Sequence, residues 1–173
     1  SVVLIRYPHG GTFEIPELRV NNKNREANKT IGNKARTAIG IHHSVAEKLS
    51  GADFDGDTVL VIPNNTKSIK TTASLKELKN FDAKREYKGY EGMPPLSDKR
   101  KQMLMGDVSN LITDMSLKQA PMDKLARAVK HSMVVIDAAN HNLNYKQSAI
   151  DHGIAALKAE YQGGSKKGAA TLI

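Results

Sequence analysis

The chain lacks cysteine and tryptophan altogether and carries only three phenylalanines, five tyrosines and six prolines in 173 residues. Without thiols, disulfide scaffolds, cysteine nucleophiles and thiolate metal sites are excluded, as suits a reducing cytoplasm. The scarcity of aromatics leaves few platforms on which single-stranded bases could stack. No apolar run approaches the roughly 18 residues that a membrane-spanning helix needs. The longest, Val2-Val3-Leu4-Ile5 and Thr58 to Pro63, are strand-sized, so a cytoplasmic chain with no membrane partner is expected. An initiator methionine and a signal-peptide charge pattern are also missing. Ser1 runs directly into an apolar stretch, which predicts a piece cut from a longer polypeptide.

What is present begins with charge. Lysine and arginine number 26 against 18 acidic residues, a formal net charge of +8. A basic surplus favours a polyanionic partner such as nucleic acid. Hydrophobic residues at 39% and charged residues at 25% describe a globular protein of one domain or slightly more.

Periodicity divides the chain. Residues 1–65 read as β-rich: a strand over Val2 to Arg6, a turn at Tyr7 to Gly11, and alternation from Thr12 to Val20 with Pro16 marking an edge or bend. Asn21 to Lys34 reads as a polar basic loop, and Thr37 to Ile41 as a short strand. Ser44 and Glu47 form a capping box opening a brief helix to Leu49. Thr58 to Ile62 is an apolar, β-branched strand stopped by Pro63. Residues 66–96 read as a linker with a short helix over Ser74 to Lys79. From Ser97 the period becomes helical. Leu104, Val108, Leu111, Ile112 and Met115 make one stripe, and Gly106 within it predicts a close approach by a neighbour. Pro121 opens a second helix carrying Leu125, Val129, Met133 and Ile136, and a third carries Ile150, Ile154, Leu157 and Tyr161. Residues 97–162 are thus helical, and 163–173 a flexible basic tail. The fold class expected is α+β.

One segment carries the chemistry: Gly51-Ala52-Asp53-Phe54-Asp55-Gly56-Asp57, followed at once by a strand. Carboxylates at i, i+2 and i+4 of an extended chain project to one face. Three uncompensated carboxylates repel, and a hard divalent cation relieves that repulsion; oxygen-only ligation suits Mg²⁺, Mn²⁺ or Ca²⁺. Gly56 allows a tight turn between the second and third carboxylates. A helix-loop-helix calcium site fits poorly, because glycine falls fourth from Asp53 rather than sixth and the twelfth position is Asn64. The plain alternative is an acidic, solvated turn between strands.

The run Ala52-Asp53-Phe54-Asp55-Gly56-Asp57 resembles the catalytic loop of the two-barrel RNA polymerases, with Gly51 where the cellular enzymes usually have asparagine. Arg6-Tyr7-Pro8, about 45 residues upstream, is similar to the family's Arg-x-Pro. The closest likeness is to the single-chain branch, which comprises phage-encoded RNA polymerases and cell-encoded RNA-dependent RNA polymerases. The resemblance covers residues 1–65. It implies part of a double-psi β-barrel followed by a mostly helical region. It also implies catalytic Mg²⁺ (with Mn²⁺ as an alternative) held by Asp53, Asp55 and Asp57, and Arg6 hydrogen-bonded to the ribose of the incoming nucleotide. Partners implied are a nucleic-acid template, the RNA product, nucleoside triphosphates and the remainder of the polymerase, including a second barrel. The host-cell cytoplasm of a bacterium is the implied location for a phage enzyme. Four or so strands are too few for a whole six-stranded barrel, so the chain by itself is expected to bind metal weakly and not to polymerise. Templating by DNA is the first expectation and by RNA the alternative; a non-catalytic metal- or nucleic-acid-binding module is the alternative from another class.

Weaker candidates remain. Lys23, Arg25, Lys29 and Lys34 form a basic stretch suited to a nucleic-acid backbone. His42-His43 could approach a phosphate or simply cap a strand end. His131, His141 and His152 are spaced too widely to share one helix face as a zinc site. The Met103, Met105 and Met115 group reads as core.

Overall fold

A computed structural model describes residues 1–6, 14–49, 57–73 and 75–163. The chain is α+β and divides into two compact units, one of described residues up to 73 and one of residues 75–163. The stretch 66–96 is therefore shared between both units rather than standing apart.

In the first unit, β1 (Val2–Arg6) lies between β2 (Glu17–Leu18) and β3 (Val59–Pro63), antiparallel to both. Apolar β-branched residues build β1 and β3, where such side chains pack against cross-strand neighbours. Leu4, fully buried, packs with Val45 and Leu49, and Leu18 and Ile41 lie against that cluster. Asn64 ends β3. Its amide donates to Ile69 O (2.9 Å), and its carbonyl accepts from Ile69 N (3.0 Å), closing the following turn.

Three local expectations change here. The basic stretch contains a helix, α1 (Arg25–Ile31), because Asn24 caps it by accepting from Ala27 N at 3.0 Å and Gly32 ends it at positive φ. Thr37 to Ile41 is not a strand; among the described residues nothing pairs with its backbone. The segment after Ser44 forms a 3₁₀ turn, His43–Lys48, in place of an α-helix.

The second unit is helical. A 3₁₀ turn, Lys76–Leu78, occupies the middle of the short helix expected near residue 74, and α2 (Ala83–Glu86) follows, capped by Asp82. Then come α3 (Asp98–Leu117), α4 (Met122–His141), α5 (Tyr145–Asp151) and α6 (Ile154–Gln162). Ser97 caps α3, and Pro121 precedes α4, where its missing N–H costs nothing. The stripe on α3 is buried at Val108, Leu111, Ile112 and Met115 and packs chiefly against α4. On α4 the buried face runs through Leu125, Val129, Val134, Val135 and Ala138 rather than Met133 and Ile136. Two further expectations fail. A Cβ added at Gly106 would meet nothing within 4 Å, so no close approach explains it. The third helix is broken: Gly153 at φ +61° separates α5 from α6 and leaves Ile150 exposed.

Candidate functional site

Register brings two of the motif residues together. Arg6 ends β1 opposite Val59, and Asp57 stands two residues before Val59, so all three project from one face of the sheet. Arg6 Nε donates to Asp57 Oδ1 at 2.7 Å, with the side chains 19% and 14% exposed. Fifty-one positions apart in sequence, these two are neighbours only because β1 and β3 pair. Asp53, Asp55 and Gly56 lie outside the described residues, as do Tyr7 and Pro8. Among the described residues no three histidines, aspartates or glutamates gather as a metal-ligand set. The donor chemistry of the aspartate loop is oxygen-only, which fits a hard divalent cation; Asp57 would supply one carboxylate from the sheet.

Asp57 also lines a groove of about 590 Å³. Thr58, and Val59 and Val61 of β3, line it together with Arg36, Thr37, Ala38, Ile39, Ile41 and Leu49. This groove escaped sequence reasoning, since Thr37 to Ile41 read as a strand within a sheet rather than as one wall facing another. The signal was present: Ile39 and Ile41 alternate with small residues, but alternation does not say what lies opposite.

The basic residues fall on and beside α1. Lys23, Arg25, Lys29 and Lys34 are all exposed, and none has a carboxylate partner among the described residues. Gly40 approaches Ala27 on α1, its Cβ position 3.4 Å from that side chain, so the helix backs the groove wall. Lys29 and Arg25, two residues either side of Ala27, face away from that contact.

The histidines resolve into local roles. His42 Nδ1 lies 2.8 Å from Ser44 Oγ and accepts from Ser44 N (3.3 Å), which holds the start of the 3₁₀ turn; its ring stacks on His43 with centroids 4.1 Å apart. His131, buried on α4, bonds through Nδ1 to Ser148 Oγ at 3.0 Å. Burial lowers its pKa to about 4, with His152 and Lys158 adding to the effect. His152 Nε2 meets Tyr87 OH at 3.1 Å, and its pKa is also lowered, first by burial and then by Lys130. Burial, and then the charge of Asp151, push the Tyr87 hydroxyl up to about 12. His141 is exposed at the end of α4. Each buried imidazole has a hydrogen-bonding partner in the helical core.

Compared with family models, with curated proteins and with solved structures, the chain matches none. The described helices include none long and apolar enough to cross a membrane.

Proposed function

We propose that the chain is the catalytic metal-binding part of an RNA polymerase of the two-barrel superfamily, its first unit contributing to a double-psi β-barrel. The observation that carries the reading is the six-residue aspartate loop joined to an Arg-x-Pro strand. The closeness of Arg6 to Asp57 supports it, because both side chains would face one reaction centre. Asp53, Asp55 and Asp57 would hold Mg²⁺. When bound, that ion would lower the pKa of the RNA 3′-hydroxyl, and a second, arriving with the nucleotide, would neutralise charge on the leaving pyrophosphate. Arg6 would donate to the ribose hydroxyls and favour ribonucleotides. Gly56 would let the loop turn without strain.

The decisive test is Asp55→Ala in the full protein containing this chain, read as template-directed incorporation of nucleoside triphosphates. The reading requires loss of incorporation by at least about a thousandfold, the scale on which preorganised electrostatic stabilisation operates, with the fold retained. Incorporation at the wild-type rate sinks it. A second measurement addresses the basic helix. Lys29→Glu with Lys34→Glu is expected to weaken template binding and to flatten its salt dependence by roughly two units of log–log slope, about one per phosphate contact. An unchanged slope removes α1 from the nucleic-acid surface.

A further inference from the structure

One end of the helical unit gathers cations that its own carboxylates leave unpaired. Residues 118–121 join α3 to α4, so the first turn of α3 lies beside the last turn of α4. Leu96, just before α3, packs against the cluster that holds Ala138 and Leu143. Lys88 forms a backbone bridge with Leu143, and Asn144 N donates to Tyr87 O at 2.8 Å. Residues 87–90 and the start of α5 therefore stand at that same end. Lys88, Lys99, Arg100 and Lys146 are all exposed there, and among the described residues no side chain pairs with any of them.

The neighbouring carboxylates do not balance that charge. Within residues 86–101 and 137–146, Glu86 pairs with Arg85 (3.9 Å) and Asp98 with Lys101 (3.7 Å), which leaves Glu91 and the half-buried Asp137 against the four cations. At the opposite end of the unit, by contrast, Lys118 donates to Tyr161 O (2.5 Å) and Lys124 to Glu160 (2.6 Å). Helix stability does not account for Lys99 and Arg100 either. Both lie in the first turn of α3, where the helix's own partial positive charge disfavours a cation. An aromatic ring stands among these charges. Tyr90 is 56% exposed, and no other tyrosine or phenylalanine among the described residues is exposed. Its backbone is pinned on both sides. Gly89 presses on the end of α4, where a Cβ would come within 2.2 Å of Asn142 O, and Tyr90 O accepts from Met93 N (3.0 Å) across a turn with Gly92 at φ +75°.

An exposed ring fixed among unpaired cations suits a single strand: phosphates meet lysine and arginine, and a base stacks on the ring whatever its identity. A duplex presents phosphates but no free base face, and an acidic polypeptide would use the cations and leave the ring idle. We infer that single-stranded nucleic acid binds this end of the helical unit, with a base stacked on Tyr90 and phosphates on Lys88, Lys99, Arg100 and Lys146. This surface belongs to the other unit from the basic stretch around α1. The contact needs neither metal nor triphosphate, so the inference stands or falls apart from the catalytic reading.

Fluorescence anisotropy with a labelled oligouridylate tests it, with chelator present and in a chain carrying Lys29→Glu and Lys34→Glu, so that α1 does not report. Tyr90→Ala is expected to weaken binding about 5- to 150-fold, the scale of one base–aromatic stack, and Tyr90→Phe to keep it. Alanine at Lys99, Arg100 and Lys146 together should flatten the log–log salt slope by roughly two, at about 0.7 per phosphate contact. On the unaltered chain, amide shifts induced by the oligomer should centre on residues 88–92, 98–101 and 145–147, a readout that needs no variant to fold. The inference is overturned if the oligomer leaves those amides unmoved, if Y90A binds as its parent does, or if the salt slope does not change. It is equally overturned if a duplex of the same length binds as tightly, or if oligoglutamate displaces the oligouridylate at matched charge, which would identify an acidic polypeptide as the partner.

Discussion

In the helical unit three lysines pair with carboxylates along and between the helices, whereas in the sheet unit Arg6–Asp57 and Lys67–Glu17 pair but the cations around α1 do not. Lys124 meets Glu160 at 2.6 Å, Lys158 meets Asp107 at 3.4 Å and Lys101 meets Asp98 at 3.7 Å. Lys124 is raised and Glu160 lowered in pKa, each mainly through the hydrogen bond to the other. The cations on and around α1 have no such partners among the described residues. Exposed pairs of the first kind contribute little stability, about 0–1 kcal/mol each, so the difference matters less for folding than for what the surface can attract. Backbone follows the same division. The buried face of each long helix is complete, while β3 presents an open edge. Among the described residues, the sheet unit thus keeps a group of exposed, unpaired cations around α1 and one open strand edge; the helical unit, with unpaired cations at one end, has no counterpart for that edge.

Substitution in the two apolar surfaces should show this contrast most strongly. Leu111, fully buried on α3, is expected to cost about 2–5 kcal/mol as Leu111→Ala, whereas Leu60→Thr on β3 should cost less than about 1 kcal/mol. Urea unfolding followed by probes in each unit measures both. Equal losses would mean that β3 is as enclosed as the helical core.

Acid is expected to act on the helical unit first. His131 has its folded pKa lowered to about 4, so the unfolded state binds the proton more readily. The stability this provides is complete above the unfolded value near 6.5 and disappears as pH falls toward 4, by at most about 3 kcal/mol. His152, lowered in the same direction, adds to the loss. Thermal melts from pH 7.5 to 4 should show the helical transition falling, and His131→Gln should flatten that dependence. A pH-independent melt would contradict a buried neutral imidazole.

The smallest effect has the opposite sign. Gly106→Ala should stabilise α3 by about 1 kcal/mol, because helix propensity favours alanine and the space beside the residue is open. A destabilised variant would mean that a neighbour does approach α3 there.

Much of this was legible beforehand. The α3 stripe, its Ser97 cap and the β1 and β3 strands follow from periods of 3.6 and 2 that each segment carries within itself. Asn24 and Gly32 also announced α1, but the absence of an apolar face hid it. In the candidate site, Asp57 and Arg6 could be named one at a time, while their contact could not, because it needs a register between strands more than fifty residues apart. The groove was equally invisible, since one of its walls is defined by what does not pair with it.

Helical bonds close within four residues, so composition and spacing along the chain were enough to determine where α3 and α4 form. They also supplied the aspartate loop on which the proposed hard-cation site rests. Strand ladders close between distant segments, and burial depends on which faces meet. Tertiary structure alone therefore decided that residues 37–41 stay unpaired among the described residues, that His131 is a core group and His152 a half-buried one, that Gly106 faces open space and that Arg6 reaches Asp57.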